Sequence, residues 1–185
     1  MIVTKTAIPG VLIIEPKVFG DSRGFFTELF QSQRYAESGM RRQFFQDNLS
    51  RSAKGTLRGL HFQNPKPQGK LITVLRGSVL DVAVDIRIGS PTFGRHVMVE
   101  LNDENRRQFW IPPGFAHGFM VQSEIADFFY KCDEIYSPPH EHVLRWNDPQ
   151  LGIEWGNDSP LLSARDREGH TLAELDGVLP KYEPA

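Results

Sequence analysis

The chain has 185 residues, 39% of them hydrophobic, with 21 basic and 23 acidic side chains and a formal net charge of -2 at pH 7. That length suffices for one well-buried domain, and residues 1–185 read as one, but the near-neutral charge argues against a general nucleic-acid binder, which carries a basic surplus. The single cysteine, Cys132, excludes an intramolecular disulfide framework and a zinc knuckle, and it reads as a small apolar packing residue.

Residues Met1 to Ile8 show no charged region followed by an apolar run of signal-peptide length. No stretch approaches the roughly 20 apolar residues of a membrane span. The expectation is a soluble, cytoplasmic protein. In chain order, Val11, Leu12, Ile13 and Ile14 form a short strand candidate closed by Pro16. Residues 21–28 form a strand or hairpin candidate. It carries Arg23, Phe26 and Glu28, types that can pair with phosphate, stack on a base and accept from a base N–H; the plainer interpretation is an edge strand with protective charges. Residues 32–38 look helical, with Gly39 as the stop. Gln46, Asp47 and Asn48 read as a loop whose side chains can meet sugar or phosphate oxygens.

The segment 56–63 otherwise reads as sheet but carries Arg58 and His61, and Lys70 opens the strand that follows. Positions 58 and 61 fall on different faces of a regular strand, so aiming both inward requires a bend, for which Gly59 is available. The clearest alternation is at 78–88. Leu80, Val82, Val84, Ile86 and Ile88 recur every second residue, with Asp81, Asp85, Arg87, Val79 and Ala83 opposite, which predicts a strand with one face in a core. Turns follow at Gly89-Ser90-Pro91, Gly94 and Pro112-Pro113-Gly114, with strand candidates at 95–101, 107–111, 117–122, 126–131 and 143–146. The tail from Asp158 reads as a short helix or loop packed on the rest. Many short strands between such turns predict an all-β, antiparallel sandwich or barrel.

Pro112-Pro113-Gly114-Phe115-Ala116-His117 matches the Pro-x-Gly-x-x-His half-motif of cupin barrels, and His61 lies where the other half-motif begins. Metal-binding cupins resemble His-x-His followed by a glutamate. Here Gln63 and Gln68 stand at those places, and an amide is a poor ligand beside imidazole or carboxylate. His61 and His117 alone are too few for a dedicated site, so no metal is expected and the interior is free for acid–base work. Tyr130 sits in the aromatic run 128–131, where core packing is the ordinary role. Asp166 could be a helix cap or a surface charge, and His96, His140, His142 and His170 show no partner pattern.

Taken together, DSRGFFTE (21–28), QDN (46–48), LRGLHFQ (57–63), QGKL (68–71), DVAVDIR (81–87), IPPGFAHGF (111–119), FYK (129–131), WNDP (146–149) and LLSARD (161–166) resemble the dTDP-4-dehydrorhamnose 3,5-epimerases. The resemblance spans nearly the whole chain in family order. It implies a cupin-like antiparallel jelly roll with a few short peripheral helices, a homodimer, and no cofactor. It makes His61 the general base, Asp166 its orienting partner, Tyr130 the acid on the opposite sugar face, and Lys70 the neighbour of the C4 carbonyl oxygen. Gln46, Asp47, Asn48, Arg58, His117, Glu141 and Arg165 fall on substrate-contacting segments. Arg23, Phe26 and Glu28 fall on the segment that binds the nucleotide from the neighbouring subunit, and Tyr136 on an aromatic position that stacks on the base.

The implied reaction is chemically coherent. A 4-keto sugar has acidified protons at C3 and C5. Removing one forms an enolate that a lysine can stabilise, and returning a proton from the other face inverts the carbon. The chain departs from the common pattern at Cys132-Asp133, where Thr-Thr is frequent, and at Arg165, where lysine is common. Three enzymatic alternatives are an epimerase acting at one carbon only, a sugar-nucleotide ketoisomerase and a cupin oxygenase, the last disfavoured by Gln63 and Gln68. A non-catalytic sugar-nucleotide binding module would have no reason to hold His61, Tyr130, Lys70 and Asp166 together.

Overall fold

The computed structural model describes residues 1–184. Its strands begin with β1 (Ile2–Lys5), β2 (Leu12–Glu15), β3 (Val18–Asp21), β4 (Gly24–Thr27), β5 (Gln46–Ala53), β6 (Leu57–Gln63) and β7 (Lys70–Arg76). They continue with β8 (Ser78–Asp85), β9 (His96–Asn102), β10 (Gln108–Ile111), β11 (Phe115–Val121), β12 (Ile125–Cys132) and β13 (Glu141–Val143). Two short helices, α1 (Ser32–Glu37) and α2 (Ala164–Arg167), lie outside them.

One sheet has the order β1-β2-β10-β7-β12-β5, the other β13-β6-β11-β8-β9, and the pairings within both are antiparallel. The all-β antiparallel architecture expected from the turn spacing is therefore present, in the jelly-roll form that the family resemblance implied. The sheets enclose a core of Ile72, Val74, Val79, Ala83, Val99, Leu101, Phe109, Phe119 and Phe128. Alternation along each strand fixes what enters this interior. On β12, Phe128, Tyr130 and Cys132 share the inward face, and on β8, Val79, Asp81 and Ala83 do.

The outer faces are covered as well. Leu80, Val82, Val84 and Ile86 pack with Trp155, Leu172, Leu175 and Leu179 of the C-terminal segment. Leu12, Ile14, Leu71 and Trp110 pack with Tyr35 and Met40 around α1. This corrects the expectation for 78–88: the strand ends at Asp85, and both faces are buried because the tail folds over the outer one. Gln46-Asp47-Asn48 is likewise not a loop but the start of β5, since its backbone pairs with β12 from Cys132↔Gln46 onward and that pairing overrides its polar composition. The candidate at 143–146 shortens and shifts to β13, which adds to the edge of β6, and β1 had no expectation attached to it.

Residues 32–38 do form α1, which Gln31 caps through its side chain and beyond which Gly39 adopts φ +98°. Residues 21–28 lie in and beside the β3–β4 hairpin, which stands apart from both sheets. Its Phe19, Phe25 and Phe26 are 52%, 58% and 67% exposed.

Candidate active site

The bend required at Gly59 is present as a β-bulge. His117 pairs with His61 but Phe119 with Arg58, so β6 carries one residue more than β11 across this stretch. Gly59 has φ +121°, and a Cβ there would lie 2.6 Å from Gly118 Cα and 2.7 Å from the His117 carbonyl oxygen. Only glycine fits this close approach of the two backbones. The extra residue brings Arg58 and His61 to the same inner face.

His61 Nε2 lies 2.6 Å from Asp166 Oδ1, and its side chain keeps 29% exposure, enough for a ligand to reach. Asp166 is neither a cap nor a surface charge: it is 3% exposed. Ser163 caps α2, accepting from the Asp166 backbone N–H at 3.1 Å and donating its hydroxyl to Asp166 Oδ2 at 2.8 Å. Burial opposes ionisation of Asp166, yet the hydrogen bonds from His61 and Ser163 and from the Gly59 amide hold its pKa below the ordinary carboxylate value.

The facing wall comes from the other sheet. Tyr130 on β12 pairs with Asn48 on β5 and with Ile72 on β7, while Lys70 on β7 pairs with Cys132. Burial pushes the Tyr130 hydroxyl up to about 12, aided by Cys132 and Glu141, so it is a protonated donor at neutral pH. Burial lowers the Lys70 pKa, against the raising influence of Cys132, Glu141 and Asp81. Cys132 is pushed up to about 11 by burial; it stays a thiol, and Asn48 reaches its Sγ at 3.6 Å.

His117 lies between these walls and the apolar core. Its Nε2 is 3.0 Å from Asp81 Oδ1, and its ring stacks on Phe128 at 5.9 Å. Burial lowers its pKa, with Asp81 opposing and Lys70 and His61 adding to the fall, which favours the neutral ring. Asp81 has no role legible from the sequence alone; the available signal is a carboxylate sharing a strand face with the apolar Val79 and Ala83, and the structure turns that face inward beside β11.

At the edge of this chamber Tyr136 donates its hydroxyl to Glu141 Oε2 at 2.6 Å, and Arg165 pairs with the same oxygen. Arg58 Nε donates to Ser52 Oγ at 3.0 Å, and Gln46 Nε2 to Asn48 Oδ1 at 2.9 Å. The structure thus gathers Gln46, Asn48, Arg58, His61, Lys70, His117, Tyr130, Tyr136, Glu141, Arg165 and Asp166 on adjoining strands and loops. It does not bring Asp47 there. Asp47 points to the other face of β5 and pairs with Lys131 Nζ at 2.8 Å, because neighbours on a strand face opposite ways. Arg23, Phe26 and Glu28 also lie outside the chamber: Arg23 pairs with Asp21, Phe26 faces outward, and Glu28 pairs with Arg34.

Among the described residues no group of three or more His, Cys, Asp or Glu is arranged to hold a metal ion. His61 and His117 each engage a carboxylate, and Gln63 and Gln68 are bound to loop backbone. Nor is any described helix long and apolar enough to cross a membrane.

The family model described as dTDP-4-dehydrorhamnose 3,5-epimerase matches residues 5–174. A dTDP-4-dehydrorhamnose 3,5-epimerase of Pseudomonas aeruginosa is 53% identical over 175 residues, covering 94% of this chain and 97% of that protein. The crystal structure of a dTDP-6-deoxy-D-glucose-3,5-epimerase from Legionella pneumophila, in complex with dTDP-4-keto-L-rhamnose, superposes with a TM-score of 0.96. It is 52% identical and covers 98% of each chain. A 3'-monoepimerase from Streptomyces bikiniensis, in complex with dTDP-quinovose, superposes at 0.90 with 37% identity, covering 96% of this chain and 92% of that one. With its motifs, its jelly roll and these relatives in agreement, the chain belongs to the dTDP-4-dehydrorhamnose 3,5-epimerase family.

Proposed function

We propose that the chain epimerises dTDP-4-dehydro-6-deoxy-D-glucose at C3 and C5, giving dTDP-4-dehydro-L-rhamnose, the L-rhamnose precursor. The observation that carries this is the placement of His61, held by Asp166 of α2, on one sheet and Tyr130 on the facing sheet, with Lys70 on the strand next to Tyr130. Inversion needs a base and an acid on opposite faces of the sugar, and this interior supplies both.

With Nε2–H donated to Asp166, His61 keeps Nδ1 free to take the proton from C3 or C5. Electrons of the broken C–H bond move to the C4 oxygen, giving an enolate that the Lys70 ammonium stabilises. Tyr130 then donates its hydroxyl proton to the carbon from the other face. Solvent removes the His61 proton and restores that of Tyr130, and the cycle repeats at the second carbon. No metal or redox cofactor enters these steps. His117, kept neutral and oriented by Asp81, lines the sugar, and Arg58 and Arg165 meet the diphosphate.

The acting unit is proposed to be a homodimer. The hairpin exposes Phe19, Phe25 and Phe26 and holds Arg23 and Glu28 away from this chain's own chamber, as expected if it serves the neighbouring subunit's nucleotide. The place of action is the cytoplasm. A second reading, inversion at one carbon only, is favoured by the likeness to the Streptomyces bikiniensis 3'-monoepimerase. Proton NMR of the product decides: coupling constants for inversion at both C3 and C5 are expected, and inversion at a single carbon selects the second reading.

A further inference from the structure

The five residues 133–137, which lead from β12 toward β13, are held by side chains and backbone of β5, β6 and the turn before β7. The Asp133 N–H donates to the Gly69 carbonyl at 3.1 Å, and its carboxylate accepts the Gly69 N–H at 2.5 Å. Gln68 Nε2 donates to the Glu134 carbonyl at 2.8 Å. Gln63 Nε2 donates to the Ile135 carbonyl at 3.3 Å and to the Lys66 carbonyl at 2.9 Å, while its Oε1 accepts the Ser137 N–H at 2.8 Å. Gln46 Oε1 accepts the Tyr136 N–H at 2.9 Å. Each residue of the segment is thus anchored, and three of the anchors are glutamines.

We infer that Gln63 and Gln68 are positioning residues for ligand binding. They clasp this segment so that the Tyr136 ring is set before a nucleobase arrives. The identity of the nucleotide rests on the function proposed above; the clasp itself rests on the hydrogen bonds. Gln63 is 3% exposed and donates twice while accepting once, which an amide can do and a carboxylate cannot. Tyr136 is fixed at its backbone by Gln46 and at its hydroxyl by Glu141, yet 42% of it stays exposed, leaving ring surface available for stacking. Fixing the ring beforehand removes an ordering cost from binding. These are the two positions whose amides replace the ligands of a metal-binding cupin. Here they serve the mouth of the site.

The test is a double-mutant cycle on the full chain, read by calorimetric titration with dTDP and by steady-state kinetics. Gln63→Met is expected to weaken dTDP binding about tenfold and to raise KM alike, with kcat held within about twofold. In a Tyr136→Ala background the same change should add less than about a further twofold. Equal losses in both backgrounds, or a fall in kcat at unchanged KM, would overturn the inference. If Gln63→Met does not fold, Gln68→Met, which removes a single donor, carries the same cycle. Because dTDP binding needs no turnover, an inactive wild type would count against the proposed reaction and leave the cycle readable.

Discussion

At the scale of single residues the chamber holds groups whose protonation states are driven apart. Tyr130 is held protonated, Asp166 ionised and His117 neutral by their surroundings. His61→Ala should lower kcat by about 10²–10⁴-fold in a coupled assay, the range that a general base supplies. The sign for Asp166 follows from its lowered pKa. Its ionised form is favoured on folding, so its stability contribution is complete above the ordinary value of 3.8 and is lost as pH falls through the lower folded value. Urea melts of wild type and Asp166→Asn should therefore differ by a constant amount above about pH 5 and converge under acid conditions. The Lys70 pKa is lowered too, so its pH dependence runs the same way, but for an amine this means that folding works against the charged form. Burial disfavours its charge, so Lys70→Met should raise Tm, by roughly 2–4 °C if about 1 kcal/mol is regained, while abolishing turnover.

At the scale of elements, the β6 bulge is the device that turns a strand into a site. Gly59→Ala must place a Cβ against Gly118 and His117 in a backbone conformation that side chains resist, and a loss of at least about 3 kcal/mol in denaturant melts is expected. The need for a bend at Gly59 was legible because Arg58 and His61 are three apart on a segment that otherwise reads as strand. Less legible was Asp166, whose carboxylate is brought to His61 only by a tail folding across 105 positions of sequence. The polar triplet at 46–48 reads as loop because strand pairing with β12 is a tertiary fact that no local composition reports. The same pairing turns Gln46 and Asn48 inward and Asp47 outward.

At the scale of the molecule, two sheets supply the opposing walls and the C-terminal segment closes the outer face of one. Alternation and turn spacing made the antiparallel architecture readable. The burial of both faces of β8 was not, since it depends on Leu172, Leu175 and Leu179 arriving from the far end of the chain. The exposed hairpin leads to a whole-molecule expectation: light scattering should give the mass of a dimer, and Arg23→Ala should weaken dTDP binding without changing that mass. Proton abstraction on one face and return from the other can be separated with Tyr130→Phe and the 4-keto sugar nucleotide in D₂O. Deuterium is expected to enter at C3 or C5, detected by NMR, with inversion strongly reduced relative to wild type. Wild-type rates of inversion in this variant, or no exchange in an active wild-type control, would contradict this mechanism.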